Sequence, residues 1–470
     1  MLMRAKPIFV GGTTSHAGKS WMTAAICAWL RRRGLRVAPF KAQNMSNNSA
    51  ACPSGGEIGR AQAAQAEACG LKPEPDMNPI LLKPESQAGS QVVLEGKVWR
   101  TLGAREYYEH FDFLLERVLA AFDRLSRRFE YIVIEGAGSV AELNLKSCDL
   151  VNLGFARRVD AAGLLVADID RGGVFASIIG TYCLLEHEEK RLLRSFAVNR
   201  FRGDMSIFAP AVRILEERTG RPCLGVFPMV EDIDLDEEDA VSLEETMRQP
   251  AKNRRVAIIR LPHISNFTDF RLLSRLAVWI DRPVNARFEC IILPGTKNTI
   301  GDLEWLRTTG LADWLAAQSR SGASVIGVCG GYQMMGESIA DPYGVESRPG
   351  ETRGLGLLPV HTILQREKTV RAIEAATPTG IRFEAYEIHM GDTPRPTGTV
   401  PFAILSDGTS DGVRDGRCAG TYLHGALECA EVLGELLGCP VSAPIPKQEN
   451  YQRLAEWFEM HQRGFAEMYL

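Results

Sequence analysis

Apolar residues fall along this chain in two alternating patterns. Residues 7–10, 35–41, 131–134, 162–167, 196–198 and 223–227 are short, nearly continuous apolar runs bounded by glycine or charge, and they read as buried strands. Residues 21–33, 55–66 and 107–129 instead carry one apolar face at helical spacing. Four prolines within residues 71–90 (Pro73, Pro75, Pro79, Pro84) predict a loop over the domain face. Strands alternating with amphipathic helices imply a mostly parallel sheet covered on both faces. The alternation breaks at residues 231–254, first acidic and then polar, which reads as a linker. It resumes with apolar runs at 256–259, 290–293 and 325–328, and the chain closes with a helix over 451–468. The expected fold class is therefore α/β in two domains, each a mostly parallel sheet flanked by helices. The first spans 1–230, a linker 231–254, the second 255–435, and a helical tail 436–470.

Length and composition change this picture little. A chain of 470 residues suits two cores, and 45% hydrophobic with 24% charged residues is ordinary for a soluble globular protein. A net charge of −4 gives no reason to expect nucleic acid or an anionic membrane as partner. The eleven cysteines show no metal-ligand spacing and suit a reducing cytosol. No stretch reads as a signal peptide or a membrane span, so a cytoplasmic location is expected. A homo-oligomer is left open.

Candidate chemistry appears in four places. After the first strand comes Gly11-Gly12-Thr13-Thr14-Ser15-His16-Ala17-Gly18-Lys19-Ser20, then a helix, which is the context of a phosphate-binding loop. Backbone N–H groups from Gly12, Thr13, Ser15 and Gly18 would cradle phosphates, Lys19 would reach the terminal oxygens of ATP, and Ser20 would hold Mg²⁺. Glu135, at the tip of a parallel strand, is placed to hold the same ion or its water. The second place is Gly327-Val328-Cys329-Gly330-Gly331, a cysteine on a sharp strand-to-helix turn. A helix N-terminus there favours the Cys329 thiolate, and the Gly330 N–H can meet an oxyanion. The third is Gly420-Thr421-Tyr422-Leu423-His424-Gly425, where His424 is a candidate base for that thiol. His389, in Tyr386-Glu387-Ile388-His389-Met390-Gly391, is a rival base. The polar loop at Lys41-Ala42-Gln43-Asn44-Met45-Ser46-Asn47 offers amides (Gln43, Asn44, Asn47) that suit a substrate rich in carboxylates and amides.

Cys329 and His424 in these settings resemble the class I glutamine amidotransferases, whose domain is flavodoxin-like. The closer resemblance is to the corrinoid-amidating branch, which like this chain lacks the glutamate two residues beyond the histidine; Ala426 stands there. The group orienting His424 stays open, with Glu428 and Glu456 near it in sequence or trailing it but unsupported. The phosphate loop has five residues between Gly12 and Gly18 rather than four, and is similar to that of dethiobiotin-synthetase-type ligases of the P-loop NTPase class. The stretches 41–46 (KAQNMS) and 55–62 (GGEIGRAQ) resemble the corrinoid amidases that act on an a,c-diamide, rather than the sister enzymes that make it.

This resemblance implies a glutamine-hydrolysing carbon–nitrogen ligase of cobalamin biosynthesis. It would use ATP, Mg²⁺ and L-glutamine to amidate carboxylates b, d, e and g of adenosylcobyrinic acid a,c-diamide. It further implies Gly295 as a second oxyanion donor, Glu135 and Glu57 as metal ligands, Asn199 as an adenine contact, and Asp168, Asp170 and Arg171 near the substrate. The alternatives are the a,c-diamide-forming sister and, from another class, a MinD/ParA-type switch ATPase. The latter carries a second lysine early in its loop, where Gly11 and Gly12 stand here.

Overall fold

The computed structural model describes residues 4–86, 89–230, 232, 233, 235, 255–346 and 348–470. Most of the expected linker, 231–254, therefore lies outside the described residues. The first domain is built on six parallel strands: β1 (Lys6–Gly12), β2 (Val37–Phe40), β3 (Tyr131–Glu135), β4 (Ala162–Asp168), β5 (Leu193–Phe201) and β6 (Cys223–Pro228). Their order is β6-β5-β4-β1-β3-β2, with β1 inside the sheet. The second domain repeats the plan with β7 (Val256–Ile259), β8 (Ala277–Ile280), β9 (Cys290–Leu293), β10 (Ser324–Val328), β11 (Val413–Asp415) and β12 (Cys418–Thr421). Their order is β8-β7-β9-β10-β12-β11, parallel except for the last pair. Such near-unbroken apolar strands are what a sheet covered on both faces requires.

Several element boundaries differ from expectation. Residues 71–90 are not all loop. Ile80–Ser86 is a strand that joins Gln43–Met45, Gly89–Leu94 and Lys97–Leu102 in a small four-stranded sheet. Pro84 is tolerated because the neighbouring strand Gln43–Met45 pairs only with Ile80 to Leu82, so Pro84 has an open side. The helix expected over 55–66 begins only at Arg60, because Glu57–Gly59 pairs with Ser49–Ala51 as an antiparallel ribbon. The helix expected over 107–129 is broken at His110 into Ala104–Glu109 and Phe111–Ser126.

The tail does not trail the second domain. Helix Lys447–His461 returns to the first domain and packs on helix Lys19–Arg32. Trp457, Phe458, Phe465 and Tyr469 are buried there with Trp29 and Phe227, and Trp29 meets Phe458 edge-on at 5.7 Å. The Tyr469 hydroxyl donates to Gly163 O of β4 at 2.9 Å. Gly464, at φ 70°, divides the single expected tail helix into Lys447–His461 and Phe465–Tyr469. Among the described residues, no helix is long and apolar enough to cross a membrane.

Candidate active site

Parallel sheets collect functional residues at the carboxyl ends of their strands, and both domains do so. In the second domain the ends of β7, β9, β10 and β12 lie side by side. Leu293 is paired with Gly327, and Val328 with Thr421. Beyond β10 the chain turns sharply at Cys329, whose φ of 50° and ψ of −111° lie outside the ordinary allowed regions. Helix Gly330–Met335 starts at once. The glycines are there for space. A Cβ on Gly331 would stand 2.0 Å from Leu293 O, and one on Gly330 would stand 2.6 Å from the Thr296 methyl. The turn is thus pressed onto the loop after β9 that holds Gly295, so the two expected oxyanion donors are neighbours. Gly295 also adjoins the candidate base, since a Cβ on it would lie 3.2 Å from His424 Cε1.

His424 follows β12 and is fully buried. Its backbone is clamped by an antiparallel bridge to Tyr386, with Tyr386 N–H donating to His424 O at 3.1 Å and His424 N–H to Tyr386 O at 2.9 Å. The Tyr386 ring stacks on the imidazole at 5.2 Å. The orienting group that sequence left open is Asp269. Its Oδ2 lies 2.7 Å from His424 Nδ1, and its Oδ1 accepts from the Gly425 N–H at 2.9 Å. Asp269 comes from the turn after β7, between the buried Phe267 and Phe270. Neither Glu428 nor Glu456 serves. Glu428 pairs with Arg60 at 2.9 Å, and Glu456 with Arg32 at 3.3 Å.

Burial alone would push the imidazole pKa down. The Asp269 carboxylate, by charge and hydrogen bond, and then Cys329 outweigh it, and the pKa rises to about 10. His424 and Asp269 therefore form a buried imidazole–carboxylate pair, and Cys329, whose thiol donates to Ile388 O at 3.6 Å, is close enough to add to the rise in the imidazole pKa. His389 does not compete for the role. Its Nδ1 meets Gly391 O at 2.7 Å, its ring stacks on Tyr422 at 3.8 Å, and its Nε2 faces Glu387 at 3.6 Å.

In the first domain the loop after β1 wraps Lys19. The Lys19 ammonium donates to Thr14 O at 2.9 Å and Gly138 O at 2.8 Å, so it lies inside the loop that would take the phosphates. Gly12 stands over it: a Cβ there would lie 3.0 Å from Lys19 Nζ. The Thr13 N–H, expected in the phosphate cradle, instead donates to Val166 O of β4 at 3.0 Å and extends the sheet pairing by one residue, and Ser15 lies across from Gly138. Gly18, at φ 90°, has the Asn199 amide where a Cβ would be, at 2.0 Å, and Asn199 also donates to Ala17 O at 3.1 Å. Asn199 thus adjoins the phosphate loop. Glu135 is next to it in register, paired with Val10, and accepts from Ser20 Oγ at 2.7 Å. Burial raises the Glu135 pKa, but Lys41 at 2.9 Å, Gln65 and Ser20 more than offset this and hold it below the usual range. One carboxylate and one hydroxyl beside a phosphate cradle is a donor set that fits Mg²⁺, which keeps waters and takes the rest of its shell from phosphates.

Glu57 does not join this donor set. Unlike Glu135, which accepts from Ser20 of the phosphate loop, it is buried between two ammonium groups, Lys83 at 2.5 Å and Lys368 of the second domain, and accepts from Ser49 Oγ at 3.0 Å. Burial would raise its pKa, but the two lysines hold it well below the carboxylate range; burial pushes Lys368 down to about 8. Asn44 is also used within the fold, donating to Gln62 at 2.9 Å, while Gln43 accepts from the Tyr107 hydroxyl at 2.6 Å. Asn47 keeps a buried Oδ1 without a protein partner. At the end of β4, Asp168 pairs with Arg200 at 3.1 Å and Asp170 with Arg202 at 3.1 Å, leaving Arg171 exposed.

Comparison with known proteins agrees with this division. Residues 8–243 match the model of a CobQ/CobB/MinD/ParA nucleotide binding domain, and residues 255–432 that of a CobB/CobQ-like glutamine amidotransferase domain. A cobyric acid synthase of Syntrophobacter fumaroxidans is 43% identical over 98% of both chains. One of Chlorobium phaeobacteroides is 44% identical over 98% of this chain and 97% of its own. One of Dehalococcoides mccartyi is 44% identical over 91% and 89%. The chain belongs to the cobyric acid synthase family. Membership makes it a glutamine-dependent ligase, and it accounts for both sites at once: a cobyric acid synthase needs one centre to release nitrogen and another to install it.

Proposed function

We propose that this chain amidates carboxylates b, d, e and g of adenosylcobyrinic acid a,c-diamide, with glutamine as nitrogen donor and ATP as activator. At the second domain, Cys329 gives its proton to His424 Nε2 while Nδ1 stays bonded to Asp269. The thiolate attacks the glutamine side-chain carbonyl, and the N–H groups of Gly295 and Gly330 face the oxyanion. His424 returns its proton to the departing ammonia, and water then releases glutamate from the thioester. At the first domain, a corrinoid carboxylate attacks the γ-phosphate of ATP, with Lys19 offsetting the developing charge. Ammonia attacks the resulting acyl phosphate and expels phosphate. Mg²⁺ held by Ser20 and Glu135 would supply further charge stabilisation there. The adenine lies by Asn199, and the loop bearing Gln43 and Asn47, with Asp168, Asp170 and Arg171, faces the substrate.

The observation that supports this reading is the buried His424–Asp269 pair, with Cys329 beside it, in the same chain as a Lys19–Ser20–Glu135 phosphate cradle. The diamide-forming sister shares that chemistry, but the three relatives reported above bear the name of the later enzyme. Mass spectrometry of the a,c-diamide incubated with enzyme, MgATP and glutamine checks it. Four successive losses of about one mass unit are expected, each replacing OH by NH₂. Cys329→Ser should lose glutamine-dependent synthesis and keep synthesis from ammonia, whereas Lys19→Ala should lose both and retain glutamine hydrolysis. Amidation of cobyrinic acid itself, with the diamide untouched, would refute the assignment.

A further inference from the structure

The base of the glutaminase site is touched from the other domain. Asn266 Oδ1 accepts from the backbone N–H of Ser49 at 2.9 Å, and Asn266 Nδ2 lies 3.2 Å from His424 Nε2. Beside it, Asn48 Oδ1 accepts from the Phe267 N–H at 3.3 Å. Asn48, Ser49 and Asn266 are all buried. A backbone N–H can only donate, so the Asn266 oxygen faces Ser49 and its NH₂ faces His424. That NH₂ needs a lone pair on Nε2. It is satisfied by a neutral imidazole whose one proton sits on Nδ1, against Asp269. The same lone pair must take the Cys329 proton.

We propose that Asn266 is a positioning residue through which the synthetase domain restrains glutamine hydrolysis: while Ser49 engages it, its amide occupies His424 Nε2, and the thiolate–imidazolium pair forms when that contact is released. The proton balance is simple. Cys329 S–H passes its proton to Nε2, the Nδ1 proton stays with Asp269, and Asn266 must either withdraw or turn its oxygen to the new N–H. Turning leaves the Ser49 N–H without its acceptor, so the interdomain bond and the active ion pair exclude one another. The groups facing His424 pull the other way. Asp269 on Nδ1 and the Cys329 thiolate favour the imidazolium, while the Tyr386 ring, with Arg60 at 5.6 Å from its centre and Glu428 on Arg60, closes the remaining side. The site is thus held between two states by opposing contacts, as a bistable element requires.

Ser49 is well placed to report on the synthetase site. It is paired with Gly59, and its hydroxyl is held by Glu57 and Lys83. A Cβ on Gly59 would lie 2.4 Å from both the Asn44 amide and Gln62 Oε1, and Gln62 reaches Glu135 at 3.4 Å. A substrate that displaces the Asn44 loop or recruits Glu135 therefore moves atoms in contact with the Ser49 ribbon.

This inference rests on the reading of Cys329 as the glutaminase nucleophile. Its test is the pH dependence of Cys329 alkylation by iodoacetamide in the full chain, located by peptide mass spectrometry. The variants are Asn266→Gly, which accepts the φ of 53°, and Asn266→Asp, which can accept from Ser49 and from a protonated Nε2 together. Asn266→Gly should raise alkylation at neutral pH about tenfold and lower its midpoint by about one unit, the scale of one buried hydrogen bond. Glutamine hydrolysis without ATP and corrinoid should rise in parallel, with more glutamine consumed than amide formed. Asn266→Asp should shift the midpoint the same way and further. A wild-type Cys329 profile in either folded variant overturns the proposal, and so does a fall in alkylation. Failure of the underlying reading looks different: Cys329→Ser would then still hydrolyse glutamine, whatever Asn266 does.

Discussion

Replacing Asp269 by asparagine removes one negative charge and changes little else in volume. The structure sets the size of the effect. Asp269 is 1% exposed and His424 is 0% exposed, so water screens neither. Burial by itself lowers the imidazole pKa, and Asp269 is the largest contributor to its rise from 6.5 to about 10. Each unit is a factor of ten in the equilibrium constant for proton transfer from the Cys329 thiol to the imidazole, and Asp269 supplies more of the rise than Cys329 does, so losing it costs on the order of 10³ in the thiolate–imidazolium pair. An asparagine also cannot accept from both the His424 Nδ1–H and the Gly425 N–H as the two carboxylate oxygens do. The expected outcome for Asp269→Asn is a fall of about 10³ to 10⁴ in kcat for glutamine hydrolysis, with KM for glutamine nearly unchanged. Synthesis supported by ammonium salts should persist, since the synthetase residues are untouched. Steady-state glutaminase assays beside ammonia-dependent amidation read both quantities. Glutaminase activity within tenfold of wild type, in a variant with an unchanged melting curve, would refute the role given to Asp269.

Two further outcomes concern stability. Glu57→Gln leaves Lys83 and Lys368 buried without their counter-ion and should cost about 3–5 kcal/mol. The Glu57 pKa in the folded protein lies below its ordinary 4.5, so the unfolded chain takes up the proton first as pH falls. The stabilisation is complete above about 4.5 and is lost in more acid solution, so urea titrations from about pH 6 to about pH 3 should show wild type losing more stability than Glu57→Gln. Phe458→Ala, in the returned tail against Trp29 and Phe227, should cost about 3–5 kcal/mol and lower the melting temperature of the first domain. A melting curve unchanged by Phe458→Ala would place the tail outside that core.

Much of the molecule is legible along the chain because its determinants are local. A phosphate loop is a contiguous stretch between a strand and a helix, and the cysteine turn needs glycines within two residues of the sulfur. Lys19, Ser20, Cys329 and the alternation of strands with helices can therefore be read without coordinates. Asp269 could not. It sits 155 residues from His424, and only the adjacency of β7, β9, β10 and β12 brings the two together. The signal available was an acid bracketed by Phe267 and Phe270, which makes no sense on a surface. Glu57 was misread for the complementary reason: a buried carboxylate takes its role from its neighbours, and one of them, Lys368, lies 311 residues away. The tail's apolar face names no partner in the sequence; the partner is Trp29 and the face of the first sheet.

Backbone conformation and periodic burial are set by residues a few positions apart, so composition and spacing alone determined the two α/β domains and marked the candidate nucleophile Cys329 and the candidate phosphate loop. Charge pairing and tautomer depend on which distant atoms share a desolvated space. Only the tertiary structure decided that Asp269 orients His424, that Glu57 pairs with Lys83 and Lys368, and that Ser49 of one domain reaches the Asn266 that touches His424.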